Sequence, residues 1–309
     1  MSEISNSLDK LRGERVLITG GTGFIGSHLV EALKDICKVV ILSQARRADG
    51  VMTINVDLRD KDAIYRNLAG LDIDIMFHVA GNVRIPGKDT AQDHLEVNAE
   101  ATKNLLEVCF KRKVKKFIYS SSMAVFDDSL YLPVAEKHAK VPNNFYGMSK
   151  LLAEIYCGEY ARFHGMTTVI LRYSTVYGPR QYDGEVIPVF ISNALNGEAL
   201  RVHGVGKATS DFVYVRDIVN ANILAATKET VPGDDFNIGS GEETSIEDLA
   251  YAIKGVIPEA SITYTPDKSP NTKRFVFDIS KARDVLGYKP TYTLPQGLSE
   301  QIQHIRNTR

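Results

Sequence analysis

Short apolar runs rich in Val and Ile recur through the first 175 residues, separated by longer stretches of mixed polarity. The runs at 16–19, 39–42, 51–56, 73–80, 114–119 and 166–171 have strand length. Most are apolar almost throughout, which predicts strands covered on both faces. Between them, 95–110 carries Val97, Ala101, Leu105 and Leu106 at helical spacing, and 149–163 reads as an amphipathic helix. Repeated strand–helix order predicts an α/β chain with a doubly wound parallel sheet. Beyond residue 180 the pattern loosens. A helix near 190–195, a strand at 200–203, a helical run reaching 226, a strand at 236–239 and helices at 246–253 and 280–286 are expected there.

The first apolar run enters Gly20–Gly21–Thr22–Gly23–Phe24–Ile25–Gly26, and a helical pattern leaves it. Gly20 suits the tight turn, Gly23 leaves room for a pyrophosphate to approach backbone, and Gly26 permits close helix–strand packing. Phe24 and Ile25 open a helix whose amino terminus faces phosphate charge. A strand, a glycine turn and a helix in this order predict a Rossmann dinucleotide site. We therefore expect an NAD(P)-binding Rossmann domain at 1–180, completed by 212–240. A smaller mixed α/β region is expected from 181–211 and 241–309. At the end of the second strand, an NAD site usually places a carboxylate on the adenosine ribose. Ser43 stands there instead, followed by Arg46 and Arg47. These arginines either form a solvated basic turn or meet a 2′-phosphate, and the missing carboxylate tilts the cofactor from NAD towards NADP.

Tyr146 and Lys150 lie four residues apart, so on a helix the phenol and the ammonium share one face. The lysine favours the phenolate and orients a cofactor ribose, while the tyrosine exchanges a proton with an alcohol oxygen. Ser122 follows the 114–119 run, where its hydroxyl can support an oxygen that gains charge during the reaction.

These residues, taken in order, resemble an extended short-chain dehydrogenase/reductase of the NAD-dependent epimerase/dehydratase family. The resemblance continues through Asp57–Leu58, His78–Val79–Ala80, Asn98, Arg172–Tyr173, Tyr177–Gly178–Pro179–Arg180, Asp211–Phe212, Asn237–Ile238–Gly239 and Leu286–Gly287–Tyr288–Lys289–Pro290. It implies a Rossmann lobe with a smaller mixed α/β substrate lobe, bound NAD or NADP, a nucleotide-sugar substrate and a helix-mediated homodimer. It also implies proton and oxyanion chemistry at Ser122, Tyr146 and Lys150. Asp57 and Leu58 would lie by the adenine, with Val79 and Ala80 bordering the cofactor. The chain departs from the family pattern at four positions. Met123 and Ala124 replace the acidic residues that dehydratases and decarboxylases carry after the catalytic hydroxyl. Thr175 replaces an asparagine, and Ser210 an arginine that grips substrate phosphate. Arg84, Ser122, Thr175, Arg180 and Arg274 remain the candidate substrate contacts.

Composition narrows the partners. The chain has 309 residues, 44% hydrophobic and 24% charged, with a net charge of -1, which gives no electrostatic case for nucleic acid. Cys37, Cys109 and Cys157 are far apart in apolar surroundings and read as buried thiols. The seven histidines form no metal-binding pattern. The polar first fourteen residues lack a signal-peptide core, and no apolar run has membrane-spanning length, so a cytoplasmic enzyme is expected. Leu151, Leu152, Ile155 and Tyr156 form the stripe expected at a two-fold interface. The favoured activity is NAD(P)-dependent epimerisation of a nucleotide sugar through a transient keto intermediate. The alternatives are an NADP-dependent reductase or dehydrogenase of a keto sugar or other small carbonyl compound, and a nucleotide-sensing protein without turnover.

Overall fold

The computed structural model describes residues 3–44, 50–82, 90–126, 131–266 and 273–308. Its strands are β1 Arg15–Thr19, β2 Lys38–Leu42, β3 Met52–Ile54, β4 Ile75–His78, β5 Lys116–Ser122, β6 Thr168–Tyr173, β7 Thr175–Tyr177, β8 Leu200–His203, β9 Thr209–Ser210, β10 Phe212–Tyr214, β11 Asp234–Ile238, β12 Thr244–Ser245 and β13 Ile262–Thr265. The helices are α1 Glu3–Lys10, α2 Phe24–Leu33, α3 Lys61–Leu68, α4 Ala91–His94, α5 Ala101–Lys111, α6 Phe145–His164, α7 Val186–Leu195, α8 Val215–Thr227, α9 Ile246–Val256 and α10 Leu294–Thr308.

Seven strands form one sheet in the order β11-β6-β5-β4-β1-β2-β3, and every pairing is parallel. Connectivity reverses between β1 and β4, and such a reversal opens a crevice at the carboxyl ends of the strands. Register sets Thr19 beside both Leu42 and His78, and Ser122 beside Tyr173, along that edge. Apolar layers cover both faces of the sheet. One contains Ile18, Leu29, Ile41 and Phe236, and the other Leu17, Leu105, Phe117 and Ile170. A third cluster, with Phe190, Leu200, Leu249 and Leu298, holds the smaller lobe around the short pairs β10–β7, β9–β12 and β8–β13.

Several elements differ from the sequence pattern. The 149–163 helix begins earlier, at Phe145, because the Asn144 side chain accepts the Gly147 N–H at 2.8 Å and caps it. Tyr146 thereby joins the first turn. The helix expected at 95–110 is continuous in direction, but Leu95–Glu100 is a π-helical segment between α4 and α5. The helix expected at 280–286 is present, but its Ala282–Leu286 part is π-helical. Strand β5 extends through Ser122, which is its last residue. Helices α1 and α10 were not apparent from the apolar pattern.

Candidate active site

Steric demand fixes the glycine turn. A Cβ at Gly20 would lie 2.8 Å from the Ala80 Cα, and one at Gly26 only 2.1 Å from the Gly20 carbonyl oxygen. Gly20 also has φ +67°, a left-handed conformation open to glycine. Gly23 occupies the N-cap of α2 without a side-chain cap, so Phe24, Ile25 and Gly26 present the first backbone amides of the helix. Nearby, the Ser43 and Thr22 hydroxyls hydrogen-bond at 2.7 Å. The Asp57 carboxylate is gripped by Arg59 at 2.6–3.0 Å and also contacts Gln44, and Arg59 foremost holds its pKa below the usual range. Leu58 is buried beneath this turn. Arg46, Arg47 and Arg84 lie outside the described residues.

His78 is fully buried and bridges two hydroxyls. Its Nδ1 lies 2.7 Å from Thr19 Oγ1, and its Nε2 lies 2.8 Å from Thr102 Oγ1. Thr102 donates to the Asn98 carbonyl at 2.6 Å, so it receives the proton from His78 Nε2. Thr19 then donates to Nδ1 and accepts the Ala80 N–H at 3.1 Å. Burial lowers the imidazole pKa to about 3, with Lys150 adding to the effect. His78 is a neutral structural bridge that shapes the Val79–Ala80 border. Asn98, on the π-helical segment, accepts the Asn82 N–H and donates to the Asn82 carbonyl and the Ser149 hydroxyl, at 2.7–3.0 Å. It ties the loop after β4 to the helix that carries Tyr146.

Lys150 reaches under the end of β5 and donates to the Ser120 carbonyl at 2.9 Å. Its Nζ lies 5.8 Å from the Tyr146 ring centroid. Burial pushes the ammonium pKa down to about 8, against the opposing charge of Glu154. Burial raises the Tyr146 phenol, a Ser122 hydrogen bond lowers it, and Glu185 raises it further. Ser122 itself accepts the Ala124 N–H at 3.2 Å. The three candidate catalytic side chains thus converge from the end of β5 and one face of α6.

The substrate candidates divide. Thr175 faces Met123 and pairs with Ser210, hydroxyl to hydroxyl, at 2.5 Å. Arg180 forms a two-pronged bond with Glu31 of α2 at 2.8 and 2.9 Å, and Arg274 one with Glu243 at 2.6 Å. A cavity of about 780 Å³ opens in the smaller lobe, with Val186 and Phe190 on one wall and Arg201, His203, Lys207 and Lys273 on others. Arg201, Lys207 and Lys273 are scattered in the sequence, and only the fold brings these cations to one cavity. A second cavity, of about 560 Å³, lies by Arg15, Asp74 and Lys115, whose charges are largely paired with one another.

A family model described as the NAD dependent epimerase/dehydratase family matches residues 16–239. The chain belongs to this family. It is 35% identical over 306 residues to a putative UDP-glucose 4-epimerase of Methanocaldococcus jannaschii, covering 94% of this chain and 98% of the other. The crystal structure of a Thermotoga maritima UDP-glucose 4-epimerase with UDP-glucose is 30% identical and superimposes with a TM-score of 0.88, covering 95% and 99% of the two chains. A Bacillus cereus UDP-glucuronic acid 4-epimerase, in complex with UDP-glucuronic acid and NAD, gives 0.86 at 30% identity, with 96% and 100% coverage. This member of the family is an enzyme of the extended short-chain dehydrogenase/reductase type. The glycine turn packs so closely that a Cβ at Gly20 or Gly26 would strike backbone, and it leaves the first amides of α2 without a side-chain cap, an arrangement that fits a nicotinamide dinucleotide. No helix among the described residues is long and apolar enough to cross a membrane.

Proposed function

We propose that this enzyme is an NAD(P)-dependent epimerase of a nucleotide sugar that works through a transient keto sugar. The observation that carries the reading is the convergence of Ser122, Tyr146 and Lys150 beside Met123 and Ala124. The site has a proton-transfer pair, but the two residues directly after its serine, Met123 and Ala124, are not the carboxylates that would drive elimination. The names of the relatives make UDP-hexoses the first substrates to examine.

The amides of Phe24, Ile25 and Gly26 would hold the dinucleotide pyrophosphate, with Ser43, Asp57 and Leu58 by its adenosine half and Val79–Ala80 beside it. When bound, the nicotinamide supplies a reversible hydride acceptor. Tyr146 takes the proton from the sugar hydroxyl as that carbon is oxidised, and Ser122 donates to the oxygen as it becomes a carbonyl. Lys150 favours the phenolate by its charge. After the keto sugar presents its other face, Tyr146 returns the proton to the oxygen. The start and finish are at the same oxidation level, so no cofactor is consumed. The cationic wall of the smaller-lobe cavity suits the substrate diphosphate. Arg274, beside it, would exchange Glu243 for phosphate, while Thr175 and Ser210 border the sugar.

The neutral Ser43 supports a second reading, an NADP-dependent reductase of a keto sugar. Incubation with a panel of UDP-sugars separates the two. Epimer formation without net nicotinamide reduction is the expected result. Stoichiometric NADPH oxidation with a carbonyl substrate, and no epimer, would establish the reductase instead. We also propose a homodimer built on α5 and α6. Phe110, Met148, Ile155 and Phe163 on these helices remain exposed, whereas Leu151, Leu152 and Tyr156 are half-buried within the subunit.

A further inference from the structure

Behind the Ser122–Tyr146–Lys150 site lies a buried carboxylate that the proposed reaction does not use. Glu154 stands one helical turn beyond Lys150 on α6 and is 5% exposed. Its Oε1 accepts from the Ser121 hydroxyl at 2.6 Å and from Arg172 Nε at 2.8 Å, and its Oε2 accepts from Arg172 Nη2 at 2.7 Å. Arg172 Nη2 also reaches Asp235 at 2.6 Å, and Asp235 in turn holds Lys281 at 3.0 Å. The carboxylate is thus stitched to β5 and β6 at the level of the active site.

Three consecutive residues at the end of β5 divide the work. The Ser120 carbonyl accepts from Lys150, the Ser121 hydroxyl binds Glu154, and Ser122 faces the cleft. Other groups around Lys150 carry little charge near neutrality. His78 from β4 is neutral, Tyr119 from β5 presents its ring at 5.1 Å, and burial holds Cys157 on α6 as a thiol. Tyr146 is the group that exchanges the proton. Glu154 is therefore the principal fixed negative charge that opposes the desolvation of Lys150.

We propose that Glu154 is a positioning residue for this site. Its carboxylate, locked by Ser121 and Arg172, aligns the end of β5 with α6 and keeps Lys150 cationic in a buried setting. The inference rests on the proposed role of Lys150 but concerns a property of the unliganded chain. Two charges one helical turn apart, at the effective dielectric of a protein site, shift each other by roughly one to two pH units.

The test is an NMR titration of isotope-labelled lysine in the full chain, with Lys150→Met assigning the resonance. Wild-type Lys150 is expected to titrate near 8. Glu154→Gln should lower that midpoint by roughly one to two pH units. Glu154→Asp keeps the charge but draws it back, so it should give a smaller shift and recover activity. It also serves where the glutamine variant fails to fold. The alkaline limb of the hydride-transfer rate should move with the midpoint. An unmoved Lys150 midpoint, with activity lost equally at every pH, would mark Glu154 as purely structural and overturn the proposal. A shifted midpoint with no epimerisation of any nucleotide sugar would sustain the proposal and sink the epimerase reading.

Discussion

At position 26 a single methyl group would collide with the Gly20 carbonyl at 2.1 Å. Gly26→Ala must therefore move either the turn or the start of α2, displacing the amides proposed to receive pyrophosphate. We expect nicotinamide binding, followed by calorimetry, to weaken roughly tenfold or more while the rest of the sheet stays folded. His78 makes a different prediction. Its folded pKa is depressed from 6.5 to about 3, so neutral His78 contributes stability in full above pH 6.5. That contribution is lost as pH falls towards 3, at up to about 1.4 kcal/mol per pH unit. The urea midpoint should drop across this window, and NMR should show His78 still neutral at about pH 5. A His78 that titrates near 6.5 in the folded protein would contradict the bridge to Thr19 and Thr102. The sequence placed His78 at a strand end, but its partners Thr19 and Thr102 come from β1 and α5. The setting of Glu154 was hidden likewise, because its partners Ser121 and Arg172 come from two strands, although its four-residue spacing from Lys150 was in plain view.

At the scale of elements, buried parallel strands were readable because both faces demand apolar residues, and the glycine turn marked where β1 meets α2. Ends were less readable. Helix α6 starts four residues before the amphipathic pattern does, since a polar cap at Asn144 rather than apolar periodicity sets that boundary. The π-helical segment around Asn98 changes the local period without changing composition, so the 95–110 pattern looked like plain α-helix. Helix α10 buries only a narrow stripe, with Leu298 and Ile302 inside and mainly polar residues outside, which leaves a weak apolar signal. The Asn144 cap lies two residues from Tyr146, so it links helix stability to chemistry. Asn144→Ala should destabilise the fold by about 1 kcal/mol, read by chemical denaturation. It should also lower kcat more than it raises KM. Equal kcat in the two proteins would show that the first turn holds Tyr146 without its cap.

For the whole molecule, the sequence identified the candidate catalytic residues better than the surroundings of the substrate. Ser122, Tyr146 and Lys150 sit on two elements whose packing follows from local pattern. The cationic cavity draws on residues spread from 201 to 273, which only the tertiary fold assembles. Arg180 and Arg274 could be named as cations from sequence, but their pairing with Glu31 and Glu243 could not. Assembly has its own test. Ile155 is 51% exposed, and a charge there would sit in the proposed α5–α6 interface. Light scattering should give a dimer mass for the parent and a monomer for Ile155→Asp, with the far-UV spectrum unchanged. A parent protein that stays monomeric throughout the micromolar range would reject the interface.

The central claim is that Tyr146 moves the proton in a hydride-transfer reaction. Tyr146→Phe removes the phenolic hydroxyl and keeps the ring that packs edge-on to His94. Single-turnover hydride transfer, measured with saturating cofactor and nucleotide sugar, reads the chemical step apart from binding. The account predicts a fall of roughly 10²–10⁴-fold with fold and cofactor affinity preserved. Transfer at the parent rate by a folded Tyr146→Phe protein would contradict it.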